Sequence, residues 1–188
     1  MTSPLKYCYR CGSALEQKTP AGDNRVRATC TQCDHIHYVN PKIVAGALVY
    51  HEDKVLLCRR AIEPRYGLWT APAGFMETEE TTREAAERET REEANAIITT
   101  ENLFVVANIT YISQVYMLYL AKLENTDFSP GEESLEVALF EQKDIPWDQL
   151  AFPTVTFALE RFFDLSLDTA RQAQPHEITF SDSHRKKV

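Results

Sequence analysis

The segment from Gly74 to Ile97 constrains the fold more than any other stretch of this chain. Between positions 77 and 93 it carries eight Glu and three Arg. Thr81 followed three residues later by Glu84 is the pattern of a capping box, in which each side chain accepts a hydrogen bond from the backbone N–H of the other residue. The pattern predicts a helix that begins near Thr82 and is rich in good helix formers. Asn95 is suited to end it, because Asn tolerates the left-handed conformation of a helix terminus.

Three of these acids share one face of the predicted helix. Glu89, Glu92 and Glu93 stand at positions i, i+3 and i+4, so their side chains project in similar directions. Carboxylates this close repel one another unless a cation neutralises them, and oxygen ligands suit Mg²⁺ or Mn²⁺. The alternative is a solvated helix face with salt bridges, since Arg88 lies four residues before Glu92. Helix composition alone favours that alternative.

The spacing of the whole segment favours metal binding instead. Gly74 is followed after five residues by Glu80 and after seven more by Arg88-Glu89-Thr90-Arg91-Glu92-Glu93. This resembles the Nudix box, G-x5-E-x7-R-E-U-x-E-E-x-G-U, in which U is a bulky aliphatic residue. The departures from the box are Thr90, Asn95 and Ala96. No acidic position is lost, which favours an active enzyme over a degenerate binding module.

The resemblance implies a fold and a chemistry. Nudix proteins hydrolyse a nucleoside diphosphate linked to a further group X, with Mg²⁺ or Mn²⁺, on an α/β fold described as an α/β/α sandwich with a mixed sheet. The implied ligands of the divalent ions are the carboxylates of Glu89, Glu92 and Glu93 and the backbone carbonyl of Ala73. The resemblance also implies that Glu80 and Arg88 form an orienting pair.

A general base and a further metal ligand are expected outside the box. The segment "PGEESLEVALF" offers Glu133 as the base and Glu136 as an additional metal ligand. The alternative for both is an exposed acid with no catalytic role.

Four of the five cysteines form a second motif. Cys8-x2-Cys11 and Cys30-x2-Cys33 are separated by eighteen residues, which is a typical spacing for a structural zinc site. A four-thiolate shell leaves no open position for water, so the predicted Zn²⁺ is structural. Coincidental or redox-active cysteines are the alternative.

The sequence predicts three regions: a zinc ribbon at 1–38, a Nudix domain at 39–170, and a polar C-terminal tail at 171–188 that is loosely ordered after Pro175. The net charge of −8 argues against a nucleic-acid or acidic-membrane partner. With no apolar run long enough to span a bilayer and no secretory signal, the expected location is cytoplasmic.

The substrate is predicted from further resemblances. A zinc ribbon before a Nudix domain is also found in NADH pyrophosphatases, but their S-Q-P-W-P-F-P-x-S signature is absent from 94–123. Segments such as "GLWTAPAG" and "FSPGEESLEVALF" make the chain similar to bacterial relatives of plant chloroplast FAD/ADP-ribose pyrophosphatases. That similarity implies cleavage of FAD to FMN and AMP, or of ADP-ribose to AMP and ribose 5-phosphate. The alternatives are an NADH or NAD-cap pyrophosphatase and a non-hydrolytic sensor of an ADP-ribose-like ligand.

The expected partner is therefore a dinucleotide or nucleotide-sugar substrate, and related enzymes often form homodimers. Tyr66 and Phe152 are predicted to stack on its rings, and Arg60 and Arg65 to contact its phosphates. The alternative for these four residues is a core or plain surface role.

Overall fold

The computed structural model describes residues 5–181 and divides the chain into two compact units, Met1–Pro41 and Lys42–Val188. The division falls three residues after the boundary that the sequence predicts between positions 38 and 39.

The first unit is a small antiparallel sheet. Its strands are β1 (Leu15–Lys18), β2 (Arg27–Cys30) and β3 (Ile36–His37), in the spatial order β1-β2-β3. Cys8 and Cys30 are buried, and both lie beside tight turns. Hardly any apolar side chain is buried in this unit, so a bound ion has to stabilise it.

The second unit contains one large mixed sheet. Its elements are β4 (Lys42–His51), β5 (Lys54–Arg60), β6 (Trp69–Thr70), β7 (Ala73–Phe75), α1 (Thr82–Ala94), β8 (Ile98–Ile109), β9 (Gln114–Leu123), β10 (Ser134–Phe140), α2 (Pro153–Phe163), α3 (Leu167–Gln172) and β11 (His176–Phe180). The order is β10-β5-β4-β9-β8-β11, with β6 paired to β5 and β7 paired to β4. The β4–β9 and β8–β11 pairs are parallel and the others antiparallel, which confirms the predicted mixed sheet.

Alternating side chains of the central strands build a core on each face of this sheet. Leu48 of β4 belongs to a buried cluster with Val155 and Leu159 of α2. Its neighbour Val49 points to the opposite face and belongs to a second cluster with Ala94 of α1. Successive side chains of a strand point to opposite faces, so one apolar strand packs against both helices. The predicted α/β/α sandwich is confirmed.

The ends of α1 agree with the sequence-based prediction. The Thr81 hydroxyl accepts from the Glu84 N–H, and the Glu84 carboxylate accepts from the Thr81 N–H. Asn95 ends the helix in the left-handed conformation, with φ 48° and ψ 25°. None of the helices within residues 5–181 has the length and apolar character needed to cross a membrane.

The predicted loosely ordered tail is partly wrong. Residues 171–172 complete α3, and His176–Phe180 form β11, which pairs in parallel with β8. The twelve-residue β8 pairs with β9 on one side, and "HEITF" pairs with its other side. Ile178 and Phe180 of this segment are turned towards the core. The Asn102 side-chain amide, which donates to the Ala170 and Ala173 carbonyls, holds the connection in place. Positions 182–188 lie outside the described residues.

Candidate active site

One large cavity, of about 980 Å³, lies within the second unit. Helix α1, strand β7, the β5–β6 connection and the β9–β10 connection all contribute to its walls. The site residues predicted from the sequence that line it are Arg60, Arg65, Ala73, Arg88, Glu89, Glu92, Glu93, Glu133 and Phe152. Phe152, just before α2, adds a fifth segment, so the fold brings residues from five separate segments to one place.

Arg88 organises the acidic side of the cavity. Its Nε and Nη2 donate to the two carboxylate oxygens of Glu80, at 3.0 and 2.8 Å. Its Nη1 donates to Glu89 at 2.8 Å and to Glu92 at 3.1 Å, and Nη2 also reaches the Phe75 carbonyl. Hydrogen bonds from Arg88 lower the pKa of Glu80, so this carboxyl stays ionised. The predicted Glu80–Arg88 pair thus ties the loop after β7 to the face of α1.

Glu89 is packed against the backbone of Gly74. A Cβ atom at position 74 would collide with the Glu89 carboxylate, so only glycine leaves room for it. The Glu89 side chain is only 12 % exposed, and this burial raises its pKa, although Arg88 opposes the shift. Gly74, the first residue of the motif, and Glu89, the first of the three predicted metal ligands on α1, therefore lie side by side.

Glu93 is the most buried of the three helix acids, and only 7 % of the residue is exposed. Burial, followed by the charge of Glu89, raises the pKa of Glu93 to about 8, while a backbone hydrogen bond with Ala73 opposes the rise. A buried carboxyl with a second acid beside it is suited to a cation, which would stabilise its ionised form. Glu92 contrasts with it, because 60 % of its side chain is exposed.

The helix carboxylates are less tightly gathered than the cysteines. Among residues 5–181, only Cys8, Cys11, Cys30 and Cys33 form a group of at least three ligand side chains whose ligand atoms all lie within 4.8 Å of one another. The Nη1 of Arg88 donates to both Glu89 and Glu92. Three carboxylates in one place also repel one another. The acids still fit a hard divalent ion by their oxygen donors and by the raised pKa values of Glu89 and Glu93.

The four sulfur atoms fit a structural zinc ion. The Cys8–Cys33, Cys11–Cys30 and Cys11–Cys33 sulfur pairs are 3.9, 3.4 and 3.6 Å apart. Zn–S bonds of ~2.3 Å in a tetrahedron place sulfurs at about 3.8 Å from one another. The backbone N–H groups of Gln32 and Cys33 both donate to the Cys30 sulfur.

The two acids expected from the β9–β10 region lie in different places. Glu133 lines the cavity, and its charge raises the pKa values of Glu89 and Glu93. Glu136 does not line it: its carboxylate lies 3.8 Å from Arg59 at the edge of the sheet and is largely exposed. Glu136 lies across from Arg59 in the β10–β5 pairing, and its side chain is turned to that arginine. The structure therefore does not support Glu136 as a metal ligand.

Another part of the cavity wall is aromatic and cationic. The Arg60 guanidinium lies over the Phe152 ring, 5.3 Å from its centroid, and its Nε donates to the Pro64 carbonyl. Arg65, in the same loop, lines the cavity with a positive φ of 70°. Tyr66 does not line the cavity and points into solvent, so its predicted stacking role is not supported. This wall can hold a flat ring and negative charge.

Family models match both units. The model described as "NUDIX domain" matches residues 40–163, and a zinc-ribbon model described as "Nudix N-terminal" matches residues 6–39. The chain belongs to the Nudix hydrolase family. This assignment agrees with the predicted Mg²⁺ or Mn²⁺ cofactor and structural Zn²⁺.

Relatives of this Nudix hydrolase come from several bacteria. A protein of Photobacterium profundum named "NAD-capped RNA hydrolase NudC" is 30 % identical over 144 residues, which are 74 % of this chain and 51 % of that protein. The chain spans about half the length of the curated relatives it matches. A solved Nudix hydrolase of Nitrosomonas europaea is 45 % identical, with a TM-score of 0.86 over 94 % of this chain and 99 % of its own. An ADP-ribose pyrophosphatase of Streptococcus suis shares the fold at 20 % identity, with a TM-score of 0.55 over 75 % of this chain and all of its own.

These relatives support the predicted combination of a zinc ribbon and a Nudix domain. They do not single out the FAD/ADP-ribose group, and their names include an RNA substrate. The expectation that this Nudix hydrolase has no nucleic-acid partner is therefore not confirmed.

Several cavity residues were not predicted as site residues. Glu132, Gln114, Ile109, Ile112 and Phe180 line the Nudix cavity, and Tyr111 and Tyr116 lie there as half-buried and buried core residues. Glu132 could have been found, because it adjoins Glu133 in an acid-rich loop. The others come from strand ends that only the sheet order brings together.

Proposed function

We propose that this Nudix hydrolase cleaves the pyrophosphate bond of an ADP-linked compound, with FAD or ADP-ribose as the first candidates and AMP as a product. The observation that carries the proposal is that one cavity joins the acidic face of α1 to the Arg60–Phe152 wall. The first side suits divalent ions, and the second suits a ring and phosphates. Its volume of about 980 Å³ lies at the upper end of the ~300–1,000 Å³ range of small-molecule sites, as a dinucleotide requires.

The helix acids are proposed to hold the divalent ions. Glu89, Glu92 and Glu93, with the backbone carbonyl of Ala73, supply oxygen donors on the cavity wall. Mg²⁺ or Mn²⁺ bound there would offset the charge of the pyrophosphate and favour ionisation of the attacking water. Ion binding would also ionise Glu93, whose pKa burial raises to about 8.

Arg88 and Glu80 have an orienting role in this proposal. Arg88 contacts Glu80, Glu89 and Glu92 at once, so it holds two of the proposed ligands in fixed positions before ions bind. Positioning of this kind is a large part of catalysis in phosphoryl transfer, because the protein contributes mainly geometry and charge.

Glu133 is proposed to accept the proton of the attacking water. It lines the cavity with Glu89 and Glu93 and lies close enough to influence the pKa values of both. No hydrogen bond to its carboxylate is formed within residues 5–181, so its oxygens are available to a water molecule. The O–P bond to water forms as the bridging P–O bond breaks, and the proton moves to a Glu133 oxygen.

The Arg60–Phe152 wall is proposed to bind the rest of the substrate. Phe152 offers a face on which a purine or a flavin ring can stack, and Arg60 and Arg65 carry positive charge towards the phosphates. Arg60 already lies over Phe152, so one side chain could contact both the ring and a phosphate.

NADH or NAD-capped RNA is the second candidate substrate. The names of the relatives that share 28–30 % identity with this chain favour it. The absent S-Q-P-W-P-F-P-x-S signature and the half-length match argue against carrying over the whole activity.

Side-by-side kinetics test the proposal. FAD, ADP-ribose, NADH and an NAD-capped RNA would be assayed for kcat/KM with Mg²⁺ and with Mn²⁺, and AMP or the 5′-monophosphate end would be measured. The highest value for FAD or ADP-ribose supports the first candidates, and the highest value for NADH or the capped RNA selects the second. Binding of a dinucleotide without turnover by any ion would contradict the proposal and identify a sensor.

A further inference from the structure

The C-terminal end of α1 is closed by a loop that comes from the β9–β10 connection. The last carbonyls of a helix have no partners within the helix. Here the Ser129 N–H donates to the Ala94 carbonyl and the Gly131 N–H to the Glu93 carbonyl, both at 3.0 Å. A Cβ at position 131 would collide with the Glu92 carbonyl oxygen, so the loop lies directly on the helix backbone.

Asn95 fastens the same loop through its side chain. Its amide nitrogen donates to the Ser129 carbonyl at 3.2 Å, to the Ser129 hydroxyl at 3.1 Å and to the Pro130 carbonyl at 3.2 Å. Two amide hydrogens serve these three acceptors. The Nudix box has glycine at this position. Glycine can adopt the same left-handed backbone conformation but has no side-chain amide to donate.

The other end of the loop is fixed to the sheet. The Ala61 N–H donates to the Glu133 carbonyl at 2.8 Å, and the Ser134 N–H donates to the Gly131 carbonyl at 3.1 Å. Glu132 and Glu133 therefore lie between one anchor on α1 and another at Ala61, the residue directly after β5. Both line the cavity that holds the helix acids.

We infer that Asn95 is a positioning residue, which ties the 129–131 loop to the end of α1 and so fixes Glu133 relative to Glu89, Glu92 and Glu93. The inference rests on the proposed function for the role of Glu133. Among the three departures from the box, Asn95 is the one with a hydrogen-bonding side chain at the end of the helix, and positioning of the loop is the role assigned to that side chain. Loss of the amide frees one anchor while the backbone of α1 keeps its conformation.

Asn95→Gly is the direct test, because glycine keeps the left-handed helix end and removes only the amide. We expect kcat to fall by about ten- to a hundredfold, since misplacement of a catalytic group by ~1 Å has effects of this size. KM should change less than threefold. The Gly131 amide should exchange with solvent at least several times faster in hydrogen-exchange experiments, while the melting temperature stays close to that of the wild type. Asn125→Gly is the same change at an exposed position of the same connection, where the side chain accepts from the Asp127 N–H and does not reach α1, so it should leave kcat and exchange at Gly131 unchanged.

A double-mutant cycle with Glu133→Gln separates positioning from a general structural effect. If Asn95 acts through Glu133, Asn95→Gly should cost little further activity in the Glu133→Gln background. Independent, multiplying losses would overturn the inference, and so would wild-type kcat in Asn95→Gly. If the wild type hydrolyses no member of the substrate panel, the proposed function fails. Exchange at Gly131 then decides whether the amide fixes the loop, and unchanged exchange in Asn95→Gly would reject that as well.

Discussion

The two predicted metal sites of this chain are built in opposite ways. The zinc ribbon offers four sulfur atoms that lie close together and are supported by N–H donors from their own turns. The Nudix cavity offers carboxylates that are bound by Arg88 and that open onto about 980 Å³ of space. Four thiolates complete the coordination shell of one zinc ion. The carboxylates would fill only part of the shell of a hard divalent ion, and the substrate would supply further oxygen ligands.

The difference shows how a protein separates stability from reactivity. In the ribbon, ligand geometry and folding are the same event, because so little apolar surface is buried there. In the Nudix domain, the sheet and its two cores support the acids, so those acids can be costly to bury. Substitutions at the two sites should accordingly affect different properties.

The largest expected effect is in the ribbon. Cys30→Ser should abolish stoichiometric zinc binding and unfold this unit, because zinc contributes about 10–16 kcal/mol of apparent binding free energy in small zinc domains. Zinc content per chain and proteolysis within residues 5–41 would measure it. Cys58→Ser, the same change at a buried cysteine of the sheet, should retain the zinc. A Cys30→Ser protein that is stably folded, zinc-free and inactive would reverse the comparison.

The next effect is in the cavity. Glu92→Gln should lower kcat by at least about a hundredfold, since it removes charge that holds the divalent ions. The melting temperature should change little, because the side chain is exposed. Glu87→Gln is a matched control on the same helix, as its carboxylate accepts only from the Thr100 hydroxyl and an amide oxygen can replace it. Equal losses of kcat in both variants would show that the charge of the helix as a whole, and no particular ligand, supports activity.

Glu93→Gln should stabilise the protein in the absence of Mg²⁺ and Mn²⁺. The folded-state pKa of Glu93 is raised to about 8, so between about pH 4.5 and 8 the folded state holds a proton that the unfolded state has lost. Stability of the wild type therefore falls as pH rises through this range. Glutamine removes the dependence, and we expect a gain of at most about 5 kcal/mol at pH 8 that disappears near pH 4.5, since each pH unit of pKa difference corresponds to about 1.4 kcal/mol. Urea unfolding at a series of pH values would show it, and a loss of stability at pH 8 would contradict this view of Glu93.

The smallest effect concerns the substrate wall. Phe152→Leu should raise KM for the preferred substrate by about five- to tenfold and leave kcat nearly unchanged, because ring stacking contributes on the order of 1–3 kcal/mol per base and leucine keeps part of the contact. Tyr66→Leu, at an exposed position outside the cavity, should change neither constant. A larger change in Tyr66→Leu than in Phe152→Leu would place the substrate on the other side of the β5–β6 loop.

Local sequence patterns were sufficient for the parts of this protein that depend on local geometry. The capping box at Thr81 and Glu84 and the left-handed end at Asn95 follow from backbone hydrogen bonding within one helix. The cysteine spacing determined the zinc cluster, because two short turns can reach one ion. The convergence of Gly74, Glu80 and Arg88 follows from fixed offsets along a loop and a helix.

Positions that depend on strand pairing were harder to predict. Glu136 lies away from the cavity because its side chain is turned to Arg59, its partner across the β10–β5 pair, and the sequence does not show that pairing. The strand His176–Phe180 was missed because its partner, β8, lies about seventy residues earlier, and two alternating apolar residues are a weak signal. The loop contacts of Asn95 join residues 34 and 35 positions apart, and no periodicity in the chain indicates them.

The contact between Gly74 and Glu89 makes the effects of substitutions at these two positions depend on each other. A methyl group at 74 is excluded only while a full-length glutamate fills the space beside it. A shorter acid at 89 would have to come first before a side chain could be accepted at 74, and the reverse order passes through a displaced carboxylate. The two residues are fifteen positions apart in the chain, and a substitution at one should change the effect of a substitution at the other.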